Sequence, residues 1–253
     1  MDGKIQRLIK RFVKNYKTQN KTETDWNDPL VAFADANDLL FERLKTDIIP
    51  SHNTPTELLN DAKTVISYFI PFKEEIAQSN VGGRYCSKEW AIAYIETNKL
   101  ISDLNKYLAK ELEKLNFKSV IKPPTYDFDK KTLISNWSHK HVAFISGLGK
   151  FGSHKMLITE KGCCGRLGTL ITSAKIQPTK RSNKEFCLFK HNTTCKKCFE
   201  KCTFGALTVE SYERHKCYET CLSNANIYSG LGLPSACGKC ACGVPCSFSN
   251  PVK

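Results

Sequence analysis

Apolar residues at the start of the chain recur at helical spacing: Ile5, Leu8, Ile9, Phe12, Val13 and Tyr16, with lysines and arginines between them. This pattern predicts a basic amphipathic helix over residues 2–20, packed on the domain through its apolar stripe. Thr22 to Pro29 is polar and acidic and reads as a loop. Ala32 to Leu44 reads as a second helix, and Pro50 to Pro55 as a turn-rich connection. The apolar run Thr64 to Phe72 has strand length and is stopped by Pro71, which predicts a buried strand. Ser87 is placed to cap a long helix running towards Leu115. Trp90, Ala93, Tyr94, Leu100, Ile101, Leu104, Leu108 and Leu112 keep its period, and Thr97 is the one polar interruption. Lys118 to Ile121 reads as a short strand ended by Pro123 and Pro124, and Trp137 to Ser146 as a helix. Met156–Thr159 and Leu167–Thr172 are predicted to pair as a hairpin across the Gly-rich turn Lys161–Arg166. The mixture makes residues 1–180 an α+β domain. The polar stretch Gln177 to Lys184 marks the boundary before a second unit, residues 181–253.

Composition adds little to this picture and charge somewhat more. At 253 residues, 41% hydrophobic and 25% charged, the chain resembles an ordinary soluble domain. No apolar run approaches the roughly 20 residues needed to span a bilayer, so no membrane role is expected. Net charge is +13, with an isoelectric point near 9.1. Such an excess suits nucleic acid, an acidic protein partner or an anionic cofactor. No arginine-rich tract or RNA-binding signature singles out nucleic acid.

The cysteines carry the chemistry. Of thirteen, eight form a spaced array near the C-terminus: Cys187, Cys195, Cys198, Cys202, Cys217, Cys237, Cys240 and Cys246. Cys195, Cys198 and Cys202 follow C-x2-C-x3-C, and Cys237 and Cys240 follow C-x2-C. Thiolate arrays of this kind hold two cubane iron–sulfur clusters, often with the last cysteine of one run ligating the other cluster. Zinc is the main rival, but zinc ribbons separate their ligand pairs by about 15–20 residues. Here 38 residues lie between Cys198 and Cys237, and a third thiol follows Cys198 closely. Disulfides require an oxidising compartment, whereas residues 1–30 hold no apolar signal segment. A cytoplasmic protein with two 4Fe–4S clusters is expected. Cys242 competes with Cys246 as the last ligand. Cys86 and Cys221 read as core filler, and the adjacent pair Cys163-Cys164 as thiols able to touch a ligand, a metal or a redox partner.

Gly147-Leu-Gly149-Lys-Phe-Gly152 fits G-x-G-x-x-G. The dinucleotide fingerprint also needs a following helix and an acidic residue about 20 positions on. Here the strand-like Met156–Thr159 follows instead, and no Asp or Glu occurs between Lys161 and Glu185. The glycines read as a tight turn or as a close backbone approach to a large planar or phosphate-bearing ligand. His139, His141 and His154 flank this segment. Trp137 and Phe151 are expected in the core or stacked on a planar ligand.

The stretch Trp137–Gly152, then Met156-Leu-Ile-Thr159 and Arg166-Leu-Gly-Thr-Leu170, resembles epoxyqueuosine reductases, relatives of the reductive dehalogenases. The order of the eight cysteines and the segment Asp61–Pro71 resemble the same family. The resemblance implies a nitroreductase-like N-terminal domain followed by a ferredoxin-like double 4Fe–4S cluster domain. It implies one cluster on Cys187, Cys195, Cys198 and Cys246, and another on Cys202, Cys217, Cys237 and Cys240. A cobalamin would lie against Gly147, Leu148, Gly149, Phe151 and Gly152, with His141 beside it. The family places a proton-donating Asp ahead of the glycine loop, where this chain has Tyr126-Asp-Phe-Asp129, so Asp127 and Asp129 are the catalytic candidates. A ferredoxin or flavodoxin would donate electrons, and the substrate would be a small molecule or tRNA. The alternative is an electron-transfer or reductive-activator protein with no organic cofactor of its own.

Overall fold

The computed structural model describes residues 1–124 and 127–252; Tyr126 lies outside them. The elements, in order, are α1 (Asp2–Asn20), β1 (Leu30–Asp35), α2 (Leu39–Asp47), α3 (Pro55–Leu58), β2 (Thr64–Pro71), α4 (Glu74–Ser79), α5 (Lys88–Glu113), β3 (Ser119–Ile121), α6 (His139–Ile145), β4 (Gly149–Phe151), β5 (Leu157–Thr159), β6 (Gly165–Thr172), α7 (Leu188–Asn192), α8 (Lys197–Glu200) and α9 (Arg214–Ile227).

A four-stranded antiparallel sheet in the order β1-β2-β6-β3 forms the centre. Every residue of β2 is buried, because helices cover both faces of the strand. Ile66, Tyr68 and Ile70 join the cluster that contains α1 and α5, while Val65 faces Phe41, Trp137, Val142 and Ile145 from α2 and α6. Strand alternation separates the two sets. The buried hydroxyls of β2 are satisfied: Ser67 meets Ser146 Oγ at 2.7 Å, and Thr64 Oγ1 accepts the Ile176 N–H at 3.0 Å. Ser87 caps α5, its side chain accepting the Trp90 N–H at 3.1 Å, and Thr97 Oγ1 accepts the Trp26 indole N–H at 2.8 Å. Both polar residues in the predicted helical pattern therefore have work to do.

Two sequence expectations fail. Ala32 to Leu44 is not one helix: residues 30–35 form edge strand β1, paired with β2 from Leu30↔Phe69 to Asp35↔Thr64. The helix begins only after Asp38, whose side chain accepts the Leu40 N–H at 3.0 Å. Sheet pairing overrides the helix propensity of the alanines, and the Asn37-Asp38 turn separates the two elements. The expected hairpin of Met156–Thr159 with Leu167–Thr172 does not form either. β5 pairs with β4, and β6 pairs with β2 and β3. The turn between β5 and β6 docks on the C-terminal segment instead. Cys163 N–H donates to Cys246 O at 3.0 Å, and Cys164 N–H to Ser247 O at 3.0 Å.

The first core cluster continues from α1 and α5 through Cys163 and Cys164 to Phe186, Cys187, Ala236, Ala241 and Cys242. Among the described residues no helix is long and apolar enough to cross a membrane.

Gly149 packs where only glycine fits: a Cβ there would overlap the Ile158 carbonyl across the β4–β5 pair. Gly149→Ala is expected to destabilise the cofactor-free protein by about 1–3 kcal/mol, the usual penalty of overpacking. Urea denaturation of the apo protein checks this. Unchanged apo stability would mean that the glycine serves only an external ligand.

Candidate metal centres and an adjoining cavity

The tail folds its thiols into two groups. Cys187 caps α7, Cys198 lies on α8, and both line a small cavity together with Cys195 and Cys246. Cys202, one step past α8, turns the other way. With Cys217 of α9, Cys237 and Cys240 it lines a second cavity of about 220 Å³. The compact run Cys195–Cys202 is thus divided between the two, Cys195 and Cys198 to one side and Cys202 to the other.

Crowded sulfur atoms disfavour one another's charge. Burial, followed by the thiolates of Cys246, Cys187 and Cys195, pushes the Cys198 thiol up to about 12. Burial, then Cys237, Cys217, Cys202 and Cys198, raises Cys240 well above its ordinary value. Two of the eight thiols go the other way: a hydrogen bond from Cys221 one helical turn away, opposed by burial and aided by Tyr212, lowers Cys217 to about 6, and a hydrogen bond from Cys163, opposed by burial and aided by His154, lowers Cys246 to about 5. Each group gathers four thiols, a donor set that, once deprotonated, suits a cation or a cationic cluster.

Cys242 is not part of either group. It is fully buried, accepts from Asn80 Nδ2 at 3.5 Å and lies against Cys164. Cys164 Sγ donates to Ala241 O at 3.1 Å. Cys86 is buried filler, its amide donating to Asn224 Oδ1 at 3.1 Å. Cys221 is more than filler, since it lines the second cavity beside Cys217. The i,i+4 spacing of Cys217 and Cys221 on α9 was the signal for that contact; no spacing could have found the approach of His154 Nε2 to Cys246 Sγ at 3.4 Å.

A third cavity, about 780 Å³, opens between the sheet and the cysteine tail, and Cys163 and Tyr212 line both it and the second cavity. Its wall is basic: Lys140, Lys155, Arg166, Lys190 and Arg214 face a single acid, Asp127. Arg166 stacks over the Tyr94 ring, 4.2 Å from its centroid, while its buried Nε has no hydrogen-bond partner. Of the residues expected to meet a cofactor, His141, Phe151 and Gly152 line this cavity. Gly147, Leu148 and Gly149 do not: Gly147 faces the Thr179 and Lys180 carbonyls, Leu148 is buried in a small core cluster, and Gly149 meets Ile158. Asp127 pairs with Lys122 at 2.8 Å. Asp129 caps a turn, accepting from Lys131 N, Thr132 N and Thr132 Oγ1 at 2.7–3.0 Å, and lies outside the cavity lining.

The cavity histidines are held neutral. His139 Nε2 faces the Pro123 carbonyl at 2.8 Å and must donate to it, which leaves Nδ1 to accept from Thr169 Oγ1 at 2.9 Å. Thr169 in turn accepts the Trp137 indole N–H at 2.9 Å, which also anchors Trp137 in the core. Burial lowers the His139 pKa, and burial followed by the charges of Lys140 and His52 lowers His141 to about 4. Protonation of His141 therefore favours the unfolded chain. Its contribution to stability is complete above pH 6.5 and is lost as the pH falls towards 4. NMR of ring-labelled histidine is expected to show His141 neutral at pH 5.5; a midpoint near 6.5 would contradict the burial argument.

No family model and no curated protein matches the sequence. Solved structures of epoxyqueuosine reductases share its fold. The protein from Streptococcus thermophilus aligns with 95% of this chain and 67% of its own, at 18% identity and a TM-score of 0.54. The protein from Bacillus subtilis, with its catalytic aspartate loop swung out of the active site, aligns with 93% of this chain and 64% of its own, at 15% identity and 0.53. A third, holding an epoxyqueuosine-modified tRNA-Tyr stem loop, aligns over the same shares at 17% identity and 0.53. The chain spans about two thirds of the length of these proteins, and at such identities the likeness is one of fold.

Proposed function

We propose that the chain is an iron–sulfur oxidoreductase of the epoxyqueuosine reductase type, acting in the cytoplasm. The observation that carries this reading is the gathering of eight cysteines at two cavities, four at the first and four at the second beside Cys163 and Cys221, on a fold shared with those enzymes. Cys187, Cys195, Cys198 and Cys246 would hold one 4Fe–4S cluster. Cys202, Cys217, Cys237 and Cys240 would hold the other. Residues 1–180 serve as the nitroreductase-like part and residues 181–253 as the ferredoxin-like part. Clusters of this kind supply single-electron transfer when bound.

The third cavity takes the organic cofactor, for which cobalamin is the reading the residues fit. Its 780 Å³ lies within the 300–1,000 Å³ usual for organic ligands. Arg166 brings an unpartnered buried N–H, and Phe151 an aromatic face. A corrinoid supplies a reducible metal centre when bound. The chain's own groups do the rest: basic side chains attract an anionic substrate, His139 and His141 stay neutral donors or acceptors, and Asp127 is the one cavity carboxyl able to carry a proton. The basic cavity and the likeness to a reductase that holds a tRNA stem loop support a tRNA substrate. A ferredoxin or flavodoxin is the fitting donor of single electrons. The runner-up, an electron carrier with no organic cofactor, leaves this large cavity beside the thiols without a role.

The test is to titrate the reconstituted protein with cobalamin under argon. A shift of the cobalt absorption bands at micromolar protein is expected. Arg166→Ala is expected to weaken binding tenfold or more, since one charge-assisted contact is worth about 1.5–3 kcal/mol. No spectral change at those concentrations would sink the cobalamin reading.

A further inference from the structure

Cys163 and His154 belong to neither group of four, yet both converge on Cys246. The Nδ1, Nε2 and Sγ atoms available from His154, Cys163 and Cys246 offer three ligand-type atoms within 4.8 Å of one another. The histidine's tautomer is set locally. Its Nδ1 accepts the Met156 backbone N–H at 3.1 Å, so the ring proton of the neutral imidazole sits on Nε2. That Nε2–H is 3.4 Å from Cys246 Sγ and is aimed at sulfur. The ring is 3% exposed, which keeps water from competing. Gly152 makes its position available: a Cβ there would come within 2.5 Å of His154 Cε1.

The Gly-rich turn brings the second donor. The Cys163 amide is tied to the Cys246 carbonyl at 3.0 Å, and this main-chain bond holds the Cys163 thiol beside the Cys246 sulfur. A fit of this kind has no use in filling space alone, because two polar donors have been brought to one thiol.

We propose that His154 and Cys163 are positioning residues that donate hydrogen bonds to the Cys246 thiolate and raise the reduction potential of the cluster it helps to hold. The proposal rests on the two-cluster reading above. Reduction places added negative charge partly on the ligand sulfurs, and donors aimed at sulfur stabilise the reduced state more than the oxidised one. Cys217 of the other group takes its hydrogen bonds from Cys221 and Tyr212 instead, so loss of His154 or Cys163 is expected to act chiefly on the cluster that Cys246 helps to hold.

An EPR-monitored redox titration of the reconstituted protein tests this. His154→Ala and Cys163→Ala are each expected to lower the midpoint of one cubane couple and leave the other in place. His154→Gln and Cys163→Ser, which keep a donor, are expected to recover most of the shift. Should His154→Ala lose iron, Cys163→Ala, which deletes a single sulfur atom, carries the test alone. Two cubane signals with unchanged midpoints in the alanine variants would overturn the inference while leaving the two-cluster reading intact. Equal shifts in donor-keeping and donor-lacking variants would also overturn it. A wild-type protein with no cubane signal would sink the two-cluster reading itself.

Discussion

Burial of thiols beside one another is the constraint on which the arrangement of the tail depends. Sulfur atoms buried together resist ionisation, as the upward shifts of Cys198 and Cys240 show. Bound as thiolates, four such sulfurs would be offset by a cation or cationic cluster between them. The tail is built of short helices, turns and half-buried cysteines, and has far less apolar surface of its own to hold it closed.

One turn joins the tail to the middle of the large sheet, beside the side-chain contacts that Asn80 and Cys86 make with Cys237, Lys239 and Asn224. Residues 160–166 leave the small β4–β5 pair, lay the Cys163 and Cys164 amides on the Cys246–Ser247 backbone, and then enter β6 at the middle of the large sheet. The same few residues therefore border the second thiol cavity, contribute Arg166 to the basic cavity, and pair with the most buried strand. Sheet stability and the position of Cys246 are coupled through main-chain hydrogen bonds rather than through side-chain packing alone.

Much of the fold was legible because its signals were local. The period of α1 and α5, the Ser87 cap and the apolar run of β2 each depend on neighbours within a few residues. β1 was misread because its alanines and leucines are good helix formers, and only pairing with β2 makes them a strand. The partner of β6 was misread because loop glycines suggest a hairpin, whereas the turn is occupied by a segment some 80 residues away in sequence. In the site, the eight cysteines singled out by spacing line two cavities, and the second of these also takes in Cys163 and Cys221, which spacing left outside the array. The glycine segment was legible as a place of close approach, but not as to what approaches: protein atoms meet Gly147, Gly149 and Gly152. The contact of Cys221 with Cys217 is an i,i+4 pair within α9 that was missed because α9 was not predicted, whereas the contact of His154 with Cys246 depends on tertiary packing and leaves no local pattern.

The account rests on what fills the two four-thiol cavities, and Mössbauer spectroscopy reads that directly. Protein reconstituted with ⁵⁷Fe and sulfide under argon is expected to show essentially all its iron in cubane clusters, two to each chain. Iron confined to isolated tetrahedral thiolate sites, or a protein that retains zinc and takes up no acid-labile sulfide, would contradict it.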